Sequence, residues 1–303
     1  MVDLSVIILS WNTCAILEKC LDVLEKFDDG IPFETLVVDN GSTDGSQEMV
    51  RSMFPKVSLY QSEENLGFAR GNNRGIDLTD GAYVLLLNSD AFLTEGALSA
   101  LLKIIEQYPQ AGIVGAQLVN PDGSFQASHS RFPGLWQEFL ILSGLGRFFY
   151  GSFYPSRGPE VKKGPQEVDY VEGACLLVRR EALENAGKLS EAFFMYAEEV
   201  DWCFAMKKAG WEVWYQPDAT IIHLGGASSQ NRRTSREGDL YRSRVIFFKK
   251  NYGPIKAFFL KWMILGSVGI KNMVHGLTRL LSGGKKGRVV IPFRDVLEKM
   301  RGV

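Results

Sequence analysis

The chain has 303 residues, with 34 Lys and Arg against 35 Asp and Glu, 46% apolar residues and a mean hydropathy of -0.04. These values exclude a disordered or collagen-like chain and leave one large α/β domain with an appendage, or two small domains, as the expected organisation. The formal net charge of -1 hides a split: from Asn231 onward there are 17 Lys and Arg against 4 Asp and Glu, so the first 230 residues carry 17 against 31. Two regions with different partners are expected, 1–230 and 231–303.

Met1 to Ser10 has no basic segment before its short apolar run, so no signal or transit peptide is expected. The four cysteines, Cys14, Cys20, Cys175 and Cys203, form no CxxC pair and read as reduced structural thiols, which points to the cytosol. Leu4 to Leu9 is rich in β-branched residues and predicts a strand; Ile16, Leu17, Leu21 and Leu24 then give helical spacing over Cys14 to Phe27. Further strands are predicted at Thr35 to Val38, Val57 to Gln61 and Tyr83 to Leu87. Helices are predicted at Ser46 to Met53, Ala69 to Leu78 and Glu95 to Tyr108. This alternation predicts an α/β fold with a mostly parallel sheet, whose ligands bind beyond the carboxyl ends of the strands.

Pro121 to Gly164 is rich in Gly, Pro and aromatics and reads either as a mobile cover over a pocket or as a helix and loop packed on the core. Val171 to Val178 predicts a strand around Gly173, Ala197 to Ala209 a helix with acids first and lysines last, and Trp211 to Leu224 a strand ending at His223.

Asp39, Asn88, Asp90 and His223 all fall at predicted strand ends on one sheet edge. A strand-end acid alone is usually a turn or cap residue, but four polar groups converging there indicate a site. Asp90 and His223 offer a divalent cation one carboxylate oxygen and one imidazole, leaving positions for diphosphate oxygens. Glu198, Glu199 and Asp201 read either as a helix start matched to the dipole or as carboxylates able to deprotonate a sugar hydroxyl.

SVIILSWNT, VVDNGSTDGS, NLGFARGNNRG, VLLLNSDAFL, EGACLLVRREAL and FFMYAEEVDWCFAMKKAGW occur in that order. Together they resemble the inverting family-2 glycosyltransferases of the GT-A fold, and within them the bacterial rhamnosyltransferase-like branch, over about residues 4 to 228. The resemblance implies that Ser10 and Trp11 meet the nucleotide and that Asp39 bonds its base. It also implies that Asn88-Ser89-Asp90 stands for the DxD motif, with Asp90 and His223 holding Mg2+ or Mn2+ and Asn88 contacting ribose. Glu199 aligns with the family's base, with Glu198 as the alternative. Where many members have an arginine this chain has Asn72, and Arg70 or Arg74 are the substitutes for that donor contact. Asp201 and Trp202 are candidate acceptor or diphosphate contacts. The implied partners are a dTDP- or UDP-sugar, with rhamnose as the branch's sugar, and a lipid-linked or saccharide acceptor.

The tail mixes Arg236, Arg242, Arg244, Lys249, Lys250, Lys256 and Lys261 with aromatics and aliphatics, which fits an amphipathic helix on an anionic membrane. Its longest apolar stretch, Ala257 to Ile270, is broken by Lys261 and too short for a confident span. A peripheral location on the inner face of the cell membrane is expected, no nucleic-acid motif accompanies the charge, and homo-oligomerisation stays open. Gln230 to Thr234 partly resembles the QxxRW motif of processive sugar polymerases without its Trp, which leaves Arg232 and Arg233 as candidate diphosphate contacts. Three other readings compete with a glycosyltransferase. A sugar-1-phosphate nucleotidyltransferase needs a Gly-rich basic loop after the first strand, and a dinucleotide oxidoreductase needs GxGxxG there; neither is present. A nucleotide-sugar-binding scaffold without turnover is the third.

Overall fold

The computed structural model describes residues 3–156, 164–226, 233–281 and 291–303. The described strands are β1 (Leu4–Ser10), β2 (Phe33–Asp39), β3 (Ser58–Gln61), β4 (Tyr83–Asn88), β5 (Ala91–Leu93), β6 (Ala111–Val119), β7 (His129–Ser130), β8 (Gln166–Glu167), β9 (Tyr170–Val171), β10 (Cys175–Arg179) and β11 (Glu212–His223). The helices are α1 (Cys14–Lys26), α2 (Ser46–Met53), α3 (Gly67–Asp77), α4 (Ala97–Gln107), α5 (Leu135–Ser143), α6 (Leu145–Tyr150), α7 (Arg180–Ala186), α8 (Glu198–Lys208), α9 (Arg233–Tyr252), α10 (Pro254–Leu281) and α11 (Phe293–Lys299). Two compact units result. One holds Met1–Phe132, Ser156–Phe194 and Glu198–Ser228; the other holds Pro133–Pro155, Met195–Ala197 and Ser229–Val303. The second unit therefore takes in two segments that the division at residue 230 leaves in the first.

The first unit is built on a mixed sheet of order β3-β2-β1-β4-β10-β6-β11-β5, with β8 added to β11. β1, β2, β3 and β4 are parallel, β10 runs against both β4 and β6, and β11 returns to the direction of β6. Both faces are covered, so the central strands read as continuous apolar runs. Val6 and Ile8 pack with Leu17, Leu21 and Leu24 on one face, while Ile7 packs with Val38, Leu86 and Trp202 on the other. Fully burying each such aliphatic side chain contributes about 1.5–3 kcal/mol. α3 lies close on β1 because Gly71 and Gly75 present no side chain there: a Cβ on Gly71 would strike Leu9, and one on Gly75 would strike Ile7.

The structure corrects one predicted strand and adds others. Val171 to Val178 is two strands in two sheets, because the chain turns at Glu172 to Ala174: β9 pairs with β7, and β10 joins the main sheet. β6 and α7 lack a strong sequence signal. β6 (AGIVGAQLV) has two glycines inside its apolar run, and Gly115 is required because a Cβ there would overlap Val171. The described residues of the segment from Pro121 onward contain the short strand β7 and the helices α5 and α6, as the helix-and-loop alternative has it.

The second unit is helical. α10 packs against α9, α5 and α11 through Ala257, Leu260, Ile264, Leu265 and Val268. Arg244 of α9 meets the buried Glu138 of α5 at 3.0 Å, which compensates a charge that burial alone would drive to its protonated form. α9 also holds a strained segment. Tyr196 and Ala197 have φ of 72° and 63°, and Ser243 Oγ donates to Met195 O at 2.8 Å while the Arg236 guanidinium sits 5.8 Å from the Tyr196 ring centre. Left-handed backbone at a residue other than glycine costs about 1–2 kcal/mol, so it persists only where such contacts fix it.

Candidate active site

The parallel register puts Ser10 beside Asp39 and Leu9 beside Asn88, so three strand ends open on one edge of the sheet. Ser10 is buried and its hydroxyl lies 3.0 Å from Thr13 Oγ1, which is 3.2 Å from Ser89 Oγ. This chain of hydroxyls ties the loop after β1 to the Asn88 to Asp90 turn. Trp11 is half-buried in that loop. Asp39 is almost fully buried: its Oδ1 accepts from Ser42 N and Gln47 Nε2, while its Oδ2 has no hydrogen-bond partner among the described residues. A carboxylate oxygen held in that state requires a donor from elsewhere, because a buried polar atom without one costs about 1–3 kcal/mol.

At the next strand end, β5 pairs antiparallel with β11 so that His223 faces Ala91, and this brings the ring to Asp90. His223 Nε2 is 3.4 Å from Asp90 Oδ1, and both residues are largely buried. Gln126 fixes the histidine from behind. Its Nε2 donates to His223 O and Asn120 Oδ1, so its Oε1, 2.6 Å from Nδ1, receives the ring proton. The remaining ring nitrogen, Nε2, is the one turned toward the carboxylate oxygen. These two groups, an imidazole braced by an amide and a hard oxygen, fit a divalent cation. Among the described residues no group of three or more His, Cys, Asp or Glu is arranged to hold a metal by itself.

Glu198 and Glu199 open α8, across the Glu172 to Ala174 turn from Asn88. Asn88 N donates to Ala174 O, and a Cβ on Gly173 would lie 3.5 Å from Glu199 Cβ. Burial, then the neighbouring Glu199 and Glu172, raises the Glu198 carboxyl well above the usual range, and its Oε2 has no partner among the described residues. Burial also raises Glu199, to about 7, against the backbone N–H groups of Glu199 and Val200 that pull it down. Glu199 keeps partial exposure where Glu198 does not. Two adjacent carboxyls thus hold their protons more tightly than free ones do, the more buried Glu198 beside a Glu199 poised near neutrality, the pattern that separates acid and base roles.

Other sequence candidates lie elsewhere or outside the described residues. Trp202 is a correction: it is a core side chain, 1% exposed, whose Nε1 donates to Gly187 O, and it has no surface to offer an acceptor. Asp201 is likewise buried in the first turn of α8. Asn72 is buried on α3 with its amide donating back to Phe68 O, Arg70 faces Glu191 at 3.9 Å, and Arg74 stacks on Tyr60. Arg232 lies outside the described residues, and Arg233 begins α9 without a described side chain. Sequence reasoning missed Gln126, which sits in no periodic element, and gave no role to Glu172 although it opens the EGACLLVRREAL motif; each acquires meaning only from the strand pairing around it.

The profile of the family described as Glycosyl transferase family 2 matches residues 5–187. The chain belongs to that family. This glycosyltransferase is 30% identical, over 80% of its own length and 82% of the relative's, to the N-acetylglucosaminyl-diphospho-decaprenol L-rhamnosyltransferase of Mycobacterium tuberculosis. It is 26% identical to the low-salt glycan biosynthesis hexosyltransferase Agl10 of Haloferax volcanii, over 89% and 85% of the two chains. Among solved structures, the mannosyltransferase of Pyrobaculum calidifontis in complex with GDP-Man and Mn2+ covers 93% of this glycosyltransferase, and 79% of that chain is matched, with a TM-score of 0.60 at 19% identity. That likeness shows the GT-A fold.

Proposed function

We propose that the enzyme transfers a sugar, rhamnose in the leading reading, from a nucleotide-diphosphate donor to a lipid-linked saccharide acceptor with inversion at the anomeric carbon. The observation that carries the reading is the pairing, at one sheet edge, of the braced Asp90 and His223 with two carboxyls of unequal proton affinity. The relative named for rhamnosyl transfer to a diphospho-decaprenol acceptor supports the sugar and the acceptor class.

Asp39 Oδ2 accepts the imide N–H of a uracil or thymine, which satisfies its open valence. Ser10 and Trp11 flank the nucleotide, and Asn88 meets the ribose. Asp90 and His223 would hold Mg2+ or Mn2+, which when bound would supply positive charge to offset the diphosphate. Glu199 takes the proton of the acceptor hydroxyl as that oxygen bonds to the anomeric carbon, and the bond from that carbon to the diphosphate oxygen breaks with its electron pair leaving on the nucleotide. Burial and the neighbouring Glu199 hold the Glu198 proton more tightly than a free carboxyl would, which disfavours a second negative charge beside the base. Neither Arg70 nor Arg74 is assigned a donor contact, since each is turned to another partner. The enzyme works from the cytoplasmic face of the membrane, as a peripheral protein.

A thermal-shift screen of dTDP-, UDP- and GDP-sugars with and without Mn2+ tests the reading, because a ligand that binds only the native state raises its apparent stability. A dTDP- or UDP-sugar is expected to give the largest shift, enlarged by Mn2+ in the wild type and not in Asp90→Ala. No shift from any nucleotide sugar would sink it.

A further inference from the structure

α10 is 28 residues long and contains Lys256, Lys261, Lys271 and Arg279 but no Asp or Glu. By length and composition alone, Pro254–Leu280 is long and apolar enough to cross a membrane. Its side chains argue for a different placement. One stripe, from Ala257 through Val268, is buried in the helical unit, so that face already has a protein partner. Lys261 Nζ donates to Met300 O and Val303 O at 2.8 and 3.1 Å, and Asn272 Nδ2 donates to Ile291 O, so polar groups along its middle are tied into the same unit. The interval between the exposed lysines Lys256 and Lys271 is about 22 Å at 1.5 Å per residue, short of a hydrocarbon core of about 30 Å.

The remaining face is apolar and open. Phe258, Phe259, Trp262 and Ile270 are more than half exposed, and Leu280 is 80% exposed. α5, which bonds to α10 through Ser267 Oγ to Leu142 O, adds Trp136 at 68%, and α6 adds Phe148 at 82% beside Phe149 and Arg147. Exposed aromatics at this density exceed the scattered apolar residues of an ordinary soluble surface. The charges beside them choose the partner. A second copy of this chain would set lysine against lysine, with no acid on α6 or α10 to answer; an anionic lipid headgroup answers every one.

We propose that the outward face of α10, together with the aromatics of α5 and α6, is a docking surface for an anionic phospholipid bilayer, with α10 lying in the plane of the interface and not crossing it. This names the contact surface of the peripheral location proposed above and rests on that reading. Aromatic rings enter the boundary between headgroup and acyl chain, while Arg147 beside Phe148 and Lys256 beside the outward face meet the phosphates.

Flotation of the full chain with vesicles of phosphatidylcholine containing about 30% phosphatidylglycerol tests this. The wild type is expected to float with them and to bind pure phosphatidylcholine at least about tenfold less. The pairs Phe148→Ser with Phe149→Ser, and Phe258→Ser with Trp262→Ser, are each expected to lower partition about tenfold. The first pair retains both Trp136 and Trp262 as reporters, and brominated lipid should quench the wild-type tryptophan emission. Carbonate at high pH should release the bound protein. Failure of the wild type to bind anionic vesicles, wild-type partition in both double variants, or retention through carbonate would overturn the proposal. So would a dimer in light scattering that the substitutions dissolve, since the face would then belong to a second copy. Donor-induced thermal stabilisation, measured on the same samples, separates the two readings. Its loss in a wild type that still floats removes the transfer reading alone, whereas its presence in a wild type that does not float removes the membrane surface alone.

Discussion

In the unit built on the sheet, the unfinished atoms are polar and buried: Asp39 Oδ2 and Glu198 Oε2 have no partner among the described residues. In the helical unit they are apolar and exposed, as Phe148, Trp136 and Leu280 show. Each kind of incompleteness costs stability in the free protein, and each is relieved by a different class of ligand. Buried acceptors call for N–H donors and cations; exposed rings call for a medium that excludes water. The near-zero net charge is therefore a cancellation between an acidic first 230 residues and a basic remainder.

The sharpest way to break the polar half of this comparison is Glu199→Gln. Transfer is expected to fall by about 10²- to 10⁴-fold, the range general base catalysis supplies, while donor affinity stays within about twofold. In the wild type the rate should rise with pH and reach half its plateau near 7, where Glu199 loses its proton. Single-turnover kinetics across pH 5.5 to 9, with about ten points, checks both. A fully active Glu199→Gln enzyme would transfer the role to Glu198 or to a residue outside the site.

The next effect concerns the histidine. Gln126→Leu removes the acceptor at Nδ1 without touching Asp90, and supports of this kind are worth about 10- to 100-fold in metal affinity. Titrating activity with Mn2+ should show a raised half-saturation and a recovered plateau at high metal. An unchanged half-saturation would show that the imidazole needs no bracing, or holds no metal.

How far the sequence reveals this arrangement depends on the scale of the signal. The parallel core strands are legible from their β-branched apolar runs, and the register sets the strand ends Ser10, Asp39 and Asn88 on one edge, with Asp90 two residues beyond. His223 is also found, because it ends the long alternating run of β11. Gln126 and Glu172 are given no role there, since they lie in segments whose conformation is set by pairing with distant strands: Glu172 N donates to Ser128 O, and Gln126 N to Leu118 O. Trp202 misleads for the opposite reason. It adjoins the carboxylates in sequence, yet helical geometry turns it into the core, where the indole N–H reaches Gly187 O. The helical unit's boundaries are likewise invisible to composition, because Pro133–Pro155 joins it through packing and through the Arg244 to Glu138 pair.

The smallest effect is on stability, and it bears on which carboxyl is the silent partner. Glu198 is 4% exposed and keeps its proton to higher pH in the folded chain than in the unfolded one, whose value is near 4.5. Above that value the folded state binds more protons than the unfolded, so this residue's contribution becomes steadily less favourable as pH rises toward its folded pKa. Glu198→Gln removes the charge while keeping the shape. At pH 8 the variant should be more stable than the wild type by about 1–3 kcal/mol, a rise of several degrees in Tm for a chain of this size. At pH 4 the difference should vanish, because both states of the wild type are then protonated. Transfer should stay within about tenfold of the wild type, in contrast to Glu199→Gln. Thermal melts of the two proteins between pH 4 and pH 8 decide the matter: a variant that is less stable at pH 8 would mean that Glu198 is ionised and satisfied in the native state, and the assignment of a tightly held proton beside the base would have to be given up.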